Sequence, residues 1–128
     1  MKIAIGSDHA GFELKATITK HLKEHKGFEV KDFGCHSEES MDYPDSAHPV
    51  CDSIEKGESN LGVLICGSGN GIAMTANKHQ NIRAGLSWTP EIAELARQHN
   101  DANILVLPAR FISQELALEI VERFFNAE

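Results

Sequence analysis

The sequence predicts an α/β fold in which a five-stranded parallel sheet carries helices on both faces. Short runs rich in β-branched residues alternate with segments of helical periodicity along the whole chain. Strict alternation of this kind implies right-handed crossovers between parallel strands. Because 128 residues are about enough for one domain, we expect a single three-layer α/β/α sandwich of the Rossmann-like type over residues 1–128.

Five segments have the length and composition expected of strands. They comprise residues 2–6, 28–33, 61–66, 82–87 and 103–107. Ligands of open parallel sheets bind beyond the carboxyl ends of the strands. We therefore expect the active site in the segments that follow each strand.

The first two helices are indicated by apolar residues spaced three or four positions apart. Gly27 and Gly57 are expected to end them, because glycine is the usual residue just past a helix. Residues 35–45 are polar and irregular and predict a surface loop before the second helix. The apolar positions are Leu14, Ile18 and Leu22 in the first helix and Ala47, Val50, Cys51 and Ile54 in the second.

Three further helices follow the later strands. One covers residues 72–78, and the next begins at Thr89, Pro90 and Glu91 and runs toward His99. The last begins at Ser113, and its apolar stripe is wide enough to lie against the sheet or against a second subunit. That stripe consists of Leu116, Ala117, Ile120, Val121, Phe124 and Phe125.

Composition excludes several classes of protein. The net charge is −7 without a dense Lys/Arg stripe, so nucleic acid is not an expected partner. No apolar run approaches the ~20 residues of a membrane-spanning helix, so no membrane partner is expected either. The chain also lacks the apolar segment of a secretory signal peptide, and we expect a cytoplasmic protein. Cys35, Cys51 and Cys66 form no C-x-x-C pair and are expected to be free.

The strongest local motif lies where the third strand meets its helix. The strand ends at Cys66, and a glycine-rich turn then presents consecutive backbone N–H groups at a helix N-terminus, which makes an anion-binding cradle. The spacing is neither that of a P-loop nor that of a dinucleotide-binding fingerprint. The alternative is a tight turn beside a buried structural cysteine. The turn consists of Gly67, Ser68, Gly69, Asn70 and Gly71.

Other candidate groups follow the first and last strands. Asp8 and His9 come directly after the first strand, although Asp8 could equally cap the next helix and His9 could be an ordinary turn residue. Arg110 follows the last strand and is well placed to reach a phosphate. Tyr43 lies in the long loop, and either of these two could instead be a solvated surface group.

Two histidine motifs have ordinary explanations as well. His99 is near the predicted end of the fourth helix, where the helix dipole favours a cation whether or not it has a function. His21 and His25 belong to an H-x-x-E-H sequence that some zinc peptidases use. Lysines surround that sequence and oppose a divalent cation, so we expect a solvated helix face and no metal.

Five motifs together resemble the ribose-5-phosphate isomerase B family, which also includes galactose-6-phosphate isomerase subunits. The likeness spans essentially the whole chain, and each motif is expected at a strand end. The motifs are GSDHAG at residues 6–11, DYPD at 42–45, CGSGNG at 66–71, ANK at 76–78 and RQHND at 97–101.

The resemblance implies a cofactor-free aldose-ketose isomerase that interconverts D-ribose 5-phosphate and D-ribulose 5-phosphate in the pentose phosphate pathway. Cys66 would be the base that moves the proton, and His99 the acid that opens the sugar ring. The active sites would be shared within a homodimer, or within a tetramer of paired dimers. The residues that would contact the sugar phosphate are Asp8, His9, Tyr43, residues 67–71, Asn100 and Arg110.

The chemistry of the residues agrees with these roles. Removing the C2 proton of an aldose requires stabilisation of the enediolate oxygen, which preorganised N–H donors supply. The same donors and the helix N-terminus favour a thiolate at Cys66. One base suffices if the proton moves on a single face of a cis-enediol.

The sequence departs from the family pattern in two places. Some relatives have serine at the cysteine position and a glutamate base after the glycine turn, where this chain has Ile72. Many relatives also carry phosphate-binding arginines beyond the position of Glu128, so the phosphate pocket is partly unassigned. Arg110, His9 and Arg83 are the candidates for it.

Two other functions remain open. One is isomerisation of a hexose 6-phosphate of the galactose or allose type, since a pocket on this fold can change in length. The other is a non-catalytic, flavodoxin-like phosphate-binding module, for which the glycine turn alone would suffice.

Overall fold

The computed structural model describes residues 1–34 and 42–127. Within these residues, five strands form one parallel sheet in the order β2-β1-β3-β5-β4. The predicted α/β class is therefore confirmed. The strands are β1 (Lys2–Ser7), β2 (Glu29–Asp32), β3 (Leu61–Cys66), β4 (Ala84–Leu86) and β5 (Ile104–Pro108).

Helices cover both faces of this sheet and complete the three layers. One hydrophobic core joins the sheet to α1, α4 and α5, and a second joins it to α2 and α3. Among the described residues none of the helices has the length and apolar character needed to cross a membrane. The helices are α1 (Phe12–Glu24), α2 (Pro44–Glu55), α3 (Asn70–Ala76), α4 (Pro90–Asn100) and α5 (Gln114–Asn126).

The three central strands are almost completely buried, as expected for a sheet covered on both faces. From β1 the chain places β2 on one side and β3 on the other. The order of strands therefore reverses between β1 and β3. Sheets of this kind bind ligands at the carboxyl ends of the strands that flank such a reversal.

The edge strands are shorter than the sequence predicted. β4 has three residues where 82–87 was expected, and β2 has four where 28–33 was expected. At the start of β4, side chains replace the neighbouring strand as hydrogen-bond partners. The Asn103 Oδ1 atom accepts from the Arg83 N–H at 2.8 Å, and the Asn77 Oδ1 atom accepts from the Ala84 N–H at 2.8 Å. Regular pairing therefore begins later than the composition suggests.

Helix ends agree closely with the expected capping residues. Thr89 and Ser113 accept hydrogen bonds from the first turns of α4 and α5, and Gly27 and Gly57 follow α1 and α2 with positive φ. α2 begins at Pro44, inside the predicted loop 35–45. Residues 35–41, which include Cys35, lie outside the described residues.

The apolar stripe of α5 packs inward, which is one of the two alternatives that its width allowed. Ala117, Ile120, Val121 and Phe124 are fully buried in the core shared with α1 and α4. These side chains of α5 therefore pack against the sheet of the same chain.

Candidate active site

The turn after β1 is attached directly to the end of β3. The Asp8 N–H donates to the Ile65 carbonyl oxygen at 3.1 Å. Gly11 packs so closely on Ile65 that a Cβ atom there would lie 2.6 Å from the Ile65 Cγ2 atom. Glycine thus permits the contact that keeps Asp8 and His9 beside the last residues of β3.

Asp8 has the capping role that its position allowed. Its Oδ1 atom accepts from the Gly11 N–H at 3.1 Å and closes the short 3-10 turn His9–Gly11. A carboxylate accepts several hydrogen bonds, so the cap leaves capacity for a sugar hydroxyl. His9 is exposed beside it. Capping and ligand binding are therefore compatible at this position.

The glycine turn after β3 brings an amide to the cysteine sulfur. The Gly69 N–H donates to the Cys66 Sγ atom at 3.2 Å, and α3 begins at the next residue. Gly69 has φ +80°, and a Cβ atom there would lie 2.4 Å from the Leu86 Cδ1 atom. Cys66 is 5% exposed. The thiol therefore lies at the edge of the core, against an N–H group at a helix N-terminus.

Arg110 lies on this same turn. Its N–H donates to the Gly67 carbonyl oxygen at 3.0 Å, which extends the pairing of β3 and β5 past the strand ends. A Cβ atom at Gly67 would lie 3.3 Å from the Arg110 Cδ atom and 3.4 Å from its Nη1 atom. A guanidinium group is thus held beside the predicted anion cradle.

Tyr43 covers the first turn of α3. A Cβ atom at Gly71 would lie 2.8 Å from the Tyr43 Cζ atom, so the ring packs on the glycine. The ring is 38% exposed and remains accessible to a ligand. The sequence placed Tyr43 in a loop and Gly71 in a turn without linking them. The sequence did contain one signal of a close contact. Gly71 lies in the first turn of a helix, where a side chain is normally tolerated, so a glycine there indicates that another group packs on it.

His99 and Asn100 are at the opposite edge of the sheet from Cys66. α4 runs antiparallel to the strands and ends at Asn100, and the Asn103 backbone then pairs with Gly62 at the start of β3 and with Arg83 just before β4. The six residues of β3 separate that edge from Cys66 by about 17 Å. One chain therefore does not bring His99 to its own thiol.

This placement corrects the expectation that all five motifs lie at strand ends. Residues 6–11, 42–45 and 66–71 gather at the carboxyl edge. Residues 76–78 and 97–101 instead end α3 and α4. They lie at the amino edge because helices in βαβ units run back against the strands.

His99 belongs to an exposed face of α4. Ile92 and Leu95 precede it by seven and four positions, so the three side chains lie on one side of the helix. Ile92 and Leu95 are 46% and 48% exposed. The exposed rings of Trp88 and Phe111, whose centroids are 5.3 Å apart, add to the apolar surface of the molecule.

Cys51 and Cys66 are free, as predicted, and their surroundings differ. Burial, together with the nearby negative charges of Glu55 and Asp52, raises the pKa of the Cys51 thiol to about 12. Cys51 lies on the buried face of α2, fully enclosed, and cannot act as a base or nucleophile. Ile72 is also fully buried, so the position after the glycine turn is structural. Of the two thiols in the described residues, Cys66 is the less deeply buried.

Comparison with known proteins shows similarity over nearly the whole chain. The profile of the ribose/galactose isomerase family matches residues 3–128. The chain is 46% identical over 127 residues to ribose-5-phosphate isomerase B of Escherichia coli (strain K12), and the alignment covers 99% of this chain and 85% of that protein.

Two solved structures have the same fold. Ribose 5-phosphate isomerase of Thermotoga maritima superimposes with a TM-score of 0.95 at 52% identity, covering 98% of this chain and 86% of that one. Ribose-5-phosphate isomerase B of Mycoplasma genitalium, with bound ribulose-5-phosphate, superimposes with a TM-score of 0.94 at 43% identity, covering 99% and 84%.

Proposed function

The chain belongs to the ribose/galactose isomerase family, and from this premise we propose that it interconverts D-ribose 5-phosphate and D-ribulose 5-phosphate. The observation that carries the proposal is the contact between the Cys66 Sγ atom and the Gly69 N–H at the start of α3. A relative of the same fold holds ribulose-5-phosphate. The proposed reaction is an isomerisation, so it needs no second reactant.

Cys66 is the proposed base. As a thiolate it takes the C2 proton of the open-chain aldose, and the electron pair moves toward C1 so that the aldehyde oxygen becomes an enediolate oxygen. A proton passes between the two oxygens, and the Cys66 thiol returns its proton to C1, which yields the ketose. The N–H groups of residues 67–71 are placed to stabilise the negative oxygen. The Gly69 N–H donates to the sulfur and keeps it beside this turn.

Four side chains around the turn complete the proposed sugar-phosphate site. Asp8 binds sugar hydroxyls from the end of β1, and Tyr43 closes the site over Gly71. Arg110 supplies positive charge beside Gly67, and His9 is the second candidate for the phosphate. A planar guanidinium suits a phosphate group because it donates two parallel hydrogen bonds.

His99 acts in the site of a second copy, in this proposal. Opening the sugar ring needs an acid near O1 and the ring oxygen, and His99 lies too far from its own Cys66. Its position on the exposed face with Ile92 and Leu95 supports a homodimer in which that face meets the partner's carboxyl edge. Asn100 and Arg83 lie at the same amino edge, so they would enter the partner's site together with His99.

The cytoplasm is the compartment that suits this chemistry. The sulfur of the proposed base must stay unoxidised, and Cys51 and Cys66 both lack a disulfide partner among the described residues. Thiols persist in the reducing cytoplasm, whereas secreted proteins commonly oxidise them.

A direct assay tests the proposed activity. Protein treated with EDTA is incubated with ribose 5-phosphate, and ribulose 5-phosphate formation is followed, with galactose 6-phosphate and allose 6-phosphate as parallel substrates. We expect the pentose phosphate to have the highest kcat/KM. A higher value for a hexose phosphate would reassign the substrate within the family. Binding without turnover of any sugar phosphate would instead support the non-catalytic module.

A further inference from the structure

A cluster of metal-ligating side chains lies away from the proposed active site, between the end of α2 and the turn after α3. Asp52 and Glu55 are in the last turn of α2, and His79 follows α3. One ligand atom from each lies within 4.8 Å of the other two. We propose that Asp52, Glu55 and His79 form a binding site for one Zn²⁺ ion.

The separations between these atoms are close to those of a zinc site. The His79 Nδ1 atom is 2.6 Å from the Glu55 Oε1 atom and 3.9 Å from the Asp52 Oδ1 atom. Ligands about 2.0–2.1 Å from a tetrahedral Zn²⁺ lie about 3.4 Å from one another. Each of the two His79 distances therefore needs to change by less than about 1 Å. Two carboxylates and one imidazole leave a fourth position for water.

His48 provides an outer contact of the kind that zinc ligands have. Its Nδ1 atom is 2.8 Å from the His79 Nε2 atom, on the side of the ring away from the carboxylates. A histidine that binds zinc through one nitrogen usually donates the other N–H to an acceptor, which sets the tautomer and the ring orientation. His48 can be that acceptor when His79 binds metal through Nδ1.

The backbone and the local charge also favour a cation here. The His79 N–H donates to the Ala76 carbonyl oxygen, and its own carbonyl accepts from Ile82, so the residue is held on both sides. The carboxyl end of a helix attracts positive charge, and the last turn of α2 contains no basic residue, although Lys56 follows it and Lys78 precedes His79. A bound ion would join α2 to the α3–β4 connection, at the amino edge of the sheet. The site would therefore stabilise the fold, and none of its three ligands is among the residues proposed for the isomerase site.

Zinc titration of the full chain tests the proposal. Protein freed of metal with EDTA and exchanged into buffer is titrated with Zn²⁺ by calorimetry, and thermal unfolding is followed with and without the ion. We expect one Zn²⁺ per chain and a raised midpoint of unfolding, because the ion binds the folded state. His79→Gln and Glu55→Gln should each weaken binding at least about 100-fold, and His48→Gln about tenfold.

His25→Gln is the matched control, because His25 stacks on His21 and could form a separate histidine site on α1. Its affinity for Zn²⁺ should equal that of the wild type. Titration with Co²⁺ shows whether a cysteine binds the metal ion in place of the proposed ligands. Thiolate ligands produce an intense near-ultraviolet charge-transfer band that a site of nitrogen and oxygen ligands lacks. Unchanged affinity in His79→Gln or Glu55→Gln, a thiolate band, or no binding to the wild type would each overturn the proposal.

Discussion

Gly69 and Gly57 both adopt positive φ, but their surroundings are different. Gly69 has φ +80° and no room for a side chain beside Leu86, whereas Gly57 has φ +77° and open space around it. A substitution at Gly57 would therefore introduce backbone strain alone, whereas a substitution at Gly69 would introduce backbone strain and steric overlap. At Gly69 both effects act on the turn that presents the amide to Cys66.

We therefore expect Gly69→Ala to cost more stability than Gly57→Ala. Strain from a non-glycine residue in the left-handed region should cost about 1–2 kcal/mol at either position. Overlap with Leu86 should add about 1–3 kcal/mol at Gly69. Urea denaturation of both variants measures the difference. Equal losses would mean that the turn adapts easily and is not held against Leu86.

The two described thiols should separate activity from stability. Cys66→Ala should lower kcat about 10²–10⁴-fold, which is the usual contribution of a general base. Cys51→Ala should keep nearly full activity and lose some stability, since it removes a fully buried side chain. Turnover of ribose 5-phosphate and denaturation curves for both variants give the comparison. An active Cys66→Ala enzyme would eliminate the thiol as base.

The contact between α1 and α5 includes a hydrogen-bonded ion cluster that the sequence did not suggest. His21 was predicted to lie on a solvated face, but its Nε2 atom is 2.6 Å from the Glu122 Oε1 atom, and Lys26 Nζ is 3.3 Å from Oε2. Burial acts to raise the pKa of Glu122, but hydrogen bonds from His21, Lys26 and Asn126 outweigh it and lower the pKa.

This lowered pKa predicts a pH-dependent stability. The unfolded chain binds the Glu122 proton more readily than the folded chain does, so the contribution is present above the ordinary value of 4.5 and is lost as pH falls through the folded pKa. The stability difference between wild type and Glu122→Gln should shrink as pH falls from about 5 to about 3. Glu119→Gln, an exposed residue of the same helix, is the control. A difference that does not depend on pH would contradict the lowered pKa.

Helices and strands were predicted correctly where their bounds depend on residues close together in the sequence. The central strand Leu61–Cys66 agrees with its predicted bounds, and the caps Thr89 and Ser113 open the helices that they were expected to open. The length of the edge strand β4 was overestimated because the Asn77 and Asn103 side chains accept the hydrogen bonds of the backbone N–H groups at its start. The composition of a segment indicates its burial and its strand propensity, but it does not indicate which group accepts the hydrogen bond of each backbone N–H.

For the whole molecule, the separation of Cys66 and His99 predicts complementation between subunits. Cys66→Ala and His99→Ala are each nearly inactive alone if both residues are needed. A mixed dimer of the two variants restores one native site when each site takes Cys66 from one chain and His99 from the other. Random pairing should then recover about a quarter of wild-type activity. Mixing after reversible dissociation, followed by assay, measures this recovery, and no recovery would place both residues in one site of one chain.

The sequence by itself determined the fold class, the central strands, the helix caps and the turn that joins Cys66 to α3, because each depends on neighbours along the chain. Only the tertiary structure decided that Tyr43 covers Gly71, that Arg110 lies on Gly67, and that His79 meets Glu55. It also decided that His99 lies at the far edge of the sheet. Periodicity and propensity act over a few residues, whereas the distance between residues far apart in sequence depends on strand order and packing.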